Sequence, residues 1–118
     1  NDSDVVTPAH QNIRIARSKS RYGPFGDISE PITGQGPGKW HNEGPCVVKH
    51  EGEYYVFYDH HSGQTYYGAT RSKDLKRWTD VSDKMNFPKG LKHGSIIRVP
   101  RQLVTNLIEA TQKQENQE

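Results

Sequence analysis

At 118 residues the chain has the length of one small domain, and its hydrophobic content of 31% falls well short of the roughly 45–50% of ordinary globular proteins, so any core it builds is thin. Sixteen Lys and Arg against fourteen Asp and Glu leave a net charge of +2 with the basic residues dispersed, which excludes the clustered positive face of a nucleic-acid-binding protein. No apolar run approaches the roughly 20 residues of a membrane span, and the single cysteine, Cys46, excludes an intrachain disulfide and any multi-cysteine zinc site.

Residues 1–12 are polar and aperiodic and read as a loop. Ile13 to Arg17 alternate apolar and polar, the mark of a half-buried strand, and lead into a turn at Gly23-Pro24. Between 26 and 42 the chain carries Pro31, Gly34, Gly36, Pro37 and Gly38, which predicts a long connection of the kind that tends to be functional. Four strands then follow in quick succession: Cys46–Lys49, Tyr54–Tyr58 after a Glu51-Gly52 turn, Thr65–Thr70 after Ser62-Gly63-Gln64, and Leu75–Val81 after Ser72-Lys73-Asp74. Short strands joined by tight turns make an antiparallel meander, the size of one propeller blade. Past Pro100, Leu103, Val104, Leu107 and Ile108 have helical spacing, which predicts a terminal helix over 102–112.

Internal repetition extends this reading. Arg17-Ser18-Lys19 recurs as Arg71-Ser72-Lys73, 54 residues on, and Glu43-Gly44-Pro45 with its apolar continuation is echoed by His93-Gly94-Ser95-Ile96-Ile97, 50 residues on. A period near 50 residues is that of one blade. The expected fold class is therefore all-β, a partial β-propeller of one and a half to two blades with a short C-terminal helix. Its parts are the outer portion of one blade at 13–30, a complete blade at 43–82, the innermost strand of the next at 93–100, and the helix.

In such a repeat Glu43 and His93 occupy equivalent strand openings facing a shared axis. Burying an acid and an imidazole together is costly unless they serve a site. On pattern alone, Glu43 at the end of a solvated loop and His93 as an ordinary turn histidine explain the sequence equally well. Trp40 suits stacking on a sugar ring and suits burial against a neighbouring blade no less. His60 and His61 lie where the second strand returns to the end at which the first began, at the rim of a cleft or in a solvated turn. Ser72 and Asp74 are expected to bond the turn backbone while Leu75 and Trp78 pack between sheets. His41-Asn42-Glu43 with Pro45-Cys46 has part of the zinc deaminase spacing, but Lys49 stands where the second cysteine is required, so that chemistry is excluded.

Trp40-His41-Asn42-Glu43-Gly44-Pro45, Glu53 to Asp59, Tyr67 to Trp78 and His93-Gly94-Ser95 together resemble the C-terminal third of glycoside hydrolase family 43, over roughly Ile13 to Leu107. The resemblance implies a five-bladed propeller that hydrolyses O-glycosyl bonds in arabinose- and xylose-containing polysaccharides, mostly with inversion. It implies Glu43 as general acid, with Trp40, Asn42, His60 and His61 as substrate-binding candidates. His93 corresponds to the histidine that holds a calcium ion or an ordered water on the axis. A general acid of this kind needs a raised pKa, from burial or a nearby carboxylate. The family's general base and the carboxylate that tunes the acid lie on earlier blades that this chain lacks, and none of Asp27, Asp59, Asp74, Asp80 and Asp83 takes their positions. The isolated chain is expected to be inactive. Its expected partners are a carbohydrate, the missing N-terminal blades, or further copies of itself in a homo-oligomer, with no nucleic acid or membrane. The family implies a secreted or periplasmic setting, although no signal peptide opens the chain. The competing reading is a carbohydrate-binding or structural propeller remnant without turnover.

Overall fold

A computed structural model describes residues 11–34, 41–61 and 63–115. Its centre is one four-stranded antiparallel sheet in the order β1-β2-β3-β4, formed by β1 (Asn42–His50), β2 (Glu53–His60), β3 (Tyr66–Ser72) and β4 (Thr79–Asp80). A short 3₁₀ turn (Ser82–Lys84) and the helix α1 (Arg101–Glu115) follow. The meander and the terminal helix are those expected from the succession of short strand runs and turns and from the helical spacing past Pro100.

β2 organises the sheet because its side chains point alternately to the two faces and its central run Tyr54–Tyr58 is entirely apolar or aromatic. Val56 and Tyr58 meet Ile13 and Ile32 on one face, with Ile15 and Trp78 against them. Phe57 meets Tyr67, Ala69 and Val81 on the other, backed by Met85, Phe87, Leu91 and Ile96. Irregular segments thus cover both faces, residues 11–34 on one side and 81–96 on the other. On the second face Phe57 and Tyr67 lie stacked at 6.3 Å, and Phe87 meets both edge-on. Gly68 is small of necessity: a Cβ there would stand 2.8 Å from the Tyr58 ring.

Three expected strands take other forms. Residues 13–17 pair with the following segment through a single bridge, Arg17 to Gly26. Side-chain hydroxyls take ladder positions here, since Ile15 N–H donates to Ser29 Oγ and Ile13 N–H to Thr33 Oγ1. The fourth strand shrinks to two residues because Asp74 captures the Lys76 and Arg77 amides and Leu75 adopts φ +58°, which holds 74–77 out of extended pairing. Residues 93–100 form no strand. They run beside β1, tied by Ile96 N–H to Cys46 Sγ at 3.2 Å and by Arg98 to the Lys49 carbonyl at 3.1 Å. The bulge between Glu43 and Cys46 and the missing N–H of Pro45 break the edge a ladder would need.

Candidate active site at the opening of β1

The site grows from the paired ends of β1 and β2. Asn42 stands opposite His60 and Glu43 opposite Asp59, after which the register slips at Gly44-Pro45. Gly44 has φ +58°, a conformation that disfavours side chains, and a Cβ there would lie 3.4 Å from Asp59 Oδ2 and 3.8 Å from His93 Nδ1. The slip therefore leaves a bare stretch of backbone beside Glu43, over which His93 lies.

Two non-glycine residues at this opening hold left-handed backbone, His41 at φ +69° and His93 at φ +48°. Such residues cost on the order of 1–3 kcal/mol each and persist only where surrounding bonds impose them. His41 is fixed by its N–H to the Gln11 carbonyl and by its own carbonyl, which accepts from His61 N–H at 3.0 Å. His93 is fixed by Asp59, whose Oδ1 and Oδ2 accept its backbone N–H at 3.1 and 3.0 Å and whose Oδ2 also bonds Nδ1 of its ring. The next residue is held as well, because the Tyr67 hydroxyl donates to the Gly94 carbonyl at 2.9 Å. Burial, with Cys46 and Asp59 nearby, pushes the Tyr67 hydroxyl up from its usual 10, so it stays a donor at neutral pH.

Glu43 keeps a half-exposed carboxylate whose Oε2 stands 3.9 Å from Nε2 of His61, itself partly exposed. The His61 ring meets His41 edge-on at 5.4 Å. A groove of mixed polarity beside Glu43 is lined by Gln11, Asn12, Ile13, Arg14 and Pro45. Glu43, His61 and the Asp59–His93 pair thus gather around Gly44.

Asn42 and His60, expected to touch substrate, face inward instead: they are 2% and 3% exposed, and His60 Nδ1 bonds Asn42 Oδ1 at 3.1 Å. His60 also stacks on Tyr66 at 4.5 Å. The period-two alternation puts His60 on the same face as Tyr58, toward the protein, so these two side chains brace the strand ends from within. Trp40 lies outside the described residues. The pairing of Asp59 with His93 is not signalled by any motif, and the one trace of it in the sequence is the alternation that puts Asp59 on the Phe57 face, the one that 81–96 covers.

The calcium expected beside His93 finds a poor donor set. Calcium takes six to eight oxygen ligands, yet among the described residues no group of three or more His, Cys, Asp or Glu side chains stands where it would hold a metal ion. Asp59, the nearest carboxylate to His93, is already engaged by it. An imidazole and one occupied carboxylate do not fit that ion.

No helix among the described residues is long and apolar enough to cross a membrane. No curated protein and no solved structure matches the chain. A family described as a probable glycosyl hydrolase domain, related to glycoside hydrolase family 43, matches residues 5–104. That match takes in both β1–β4 and the segment carrying His93, and the chain therefore belongs to this family of glycosyl hydrolase domains.

Proposed function

We propose that the chain is the acid-bearing part of a glycosidase that hydrolyses arabinosyl or xylosyl linkages with inversion, and that β1–β4 is one blade of a five-bladed propeller. The observation that carries this reading is the accessible Glu43 carboxylate at the opening of β1, next to a bare glycine backbone and two histidines. Glu43 protonates the departing glycosidic oxygen. His61 and the exposed face of His93 supply hydrogen bonds to sugar hydroxyls or to an ordered water.

Inversion requires a second carboxylate about 6.5–9.5 Å from the acid to activate water on the far side of the ring. Asp59 is opposite Glu43 in register, but its side chain is 6% exposed and both oxygens accept from His93. It does not serve as that base. The base and the carboxylate that tunes Glu43 come from the remaining blades, supplied by another stretch of polypeptide, in the secreted or periplasmic setting usual for such enzymes.

The test is hydrolysis of aryl arabinosides and xylosides by the chain alone and mixed with the N-terminal portion of such a propeller. Activity should appear only in the mixture, and Glu43→Gln should reduce it at least a hundredfold, the upper range of general-acid contributions being about 10⁴. Full activity in Glu43→Gln would remove Glu43 from the mechanism. Sugar binding by the mixture without turnover would favour the reading as a carbohydrate-binding remnant.

A further inference from the structure

We infer that Asp59 is a positioning residue that sets the tautomer of His93, holding the proton on Nδ1 and presenting the bare Nε2 lone pair outward as an acceptor for a hydroxyl donor. This deepens the proposed role of His93 and rests on that reading for the identity of the hydroxyl, though not for the tautomer.

Three independent features converge on it. Asp59 is buried at the end of β2, whereas the His93 side chain is 68% exposed, so the pair has a fixed inner member and an outward-facing ring. An ionised carboxylate only accepts, so the ring nitrogen that touches Asp59 Oδ2 must be the protonated one, and that nitrogen is Nδ1. The same carboxylate takes the His93 backbone N–H at 3.0 and 3.1 Å and thereby holds the residue at φ +48°, which fixes where the ring leaves the chain. Main chain and ring are gripped by one side chain, which leaves the imidazole little freedom to flip. Gly44 lies directly beside the pair, since a Cβ there would stand in van der Waals contact with both Asp59 Oδ2 and His93 Nδ1. A histidine held through Nδ1 by a carboxylate is the arrangement that orients imidazole ligands and raises the basicity of their free nitrogen. Here that nitrogen suits a sugar hydroxyl or a water, both of which donate O–H.

The experiment is nitrogen NMR of the 118-residue chain labelled with [¹⁵N]histidine, with the His93 ring signals assigned by their disappearance in His93→Gln. In the wild-type chain, above the titration of its histidines, His93 should show a protonated Nδ1 and a bare Nε2. In Asp59→Ala it should revert to the Nε2-protonated form that free histidine prefers. Should Asp59→Ala not fold, as judged by loss of amide dispersion, Asp59→Leu, which fills the same space without an acceptor, is read in the same way. A wild-type His93 protonated on Nε2, or a tautomer unchanged when Asp59 is removed from a folded chain, overturns the assignment. Added arabinose or xylose distinguishes the donors: a saturable shift of Nε2 assigns the sugar hydroxyl, and an unmoved signal assigns water. Because the tautomer is read without turnover, its failure is separable from that of the glycosidase reading.

Discussion

Asp74 shows how much a single exposed carboxylate can organise. It accepts from the Lys76 and Arg77 amides at 2.9 and 2.8 Å and from the Arg77 guanidinium at 3.0 Å, and these bonds, the Arg77 and Lys76 amides foremost, hold its pKa well below 3.8. The folded chain therefore gives up that proton more readily than the unfolded chain. The resulting stabilisation is complete above about pH 5 and is lost progressively as the pH falls through the unfolded value toward the lower folded one. Asp74→Asn should lower the thermal midpoint at neutral pH, and its gap to the wild type should narrow steadily as the pH is taken down to about 2. A gap of constant size across that range would contradict this account. Gly44 makes a second residue-scale case. Gly44→Ala meets a left-handed backbone and should cost about 1–2 kcal/mol in denaturant unfolding, while shifting the His93 ring signals, because its Cβ would touch the Asp59–His93 pair.

Among the elements, β2 and α1 stand at opposite ends of a stability scale. β2 contributes to both apolar clusters, and Phe57 lies at the meeting point of Tyr55, Tyr67 and Phe87. Phe57→Ala should cost about 3–5 kcal/mol, enough to unfold a marginal domain, with loss of amide dispersion as the readout. The helix α1 is exposed along its length, and its stripe of Leu103, Val104, Leu107 and Ile108 meets no other element among the described residues. Fifteen-residue helices without tertiary contacts are marginal in water. Hydrogen exchange should accordingly find α1 amides almost unprotected while those of β2 and β3 are slow. Comparable protection in both would show that α1 packs on something in solution.

At the scale of the whole molecule, the described residues leave several large apolar side chains exposed. Tyr22, Phe25, Ile28, Val47 and Ile97 are each at least 63% exposed, in addition to the helix stripe, and β1 and β4 are edge strands of the sheet. Exposed apolar area and open edges favour association. We expect the isolated chain to form homo-oligomers and to shed them when the N-terminal portion of the propeller is added. Sedimentation velocity checks both steps, and a stable folded monomer would count against the partial-propeller proposal.

The aromatic and β-branched run at 54–58 and the turn residues at 51–52 and 62–64 were enough to place the hairpins, because strand preference and turn chemistry act over a few residues. The spacing of Leu103, Val104, Leu107 and Ile108 placed α1 in the same way. Three-dimensional packing decided the rest. Whether 13–17 and 93–100 became strands depended on competing partners: the hydroxyls of Ser29 and Thr33 for the first, the bulged edge of β1 for the second. The inward turn of Asn42 and His60 and the grip of Asp59 on His93 came from register and from the covering of one sheet face by a distant segment. Those contacts join residues 18 and 34 positions apart, and no local pattern records which of several polar side chains will be enclosed together.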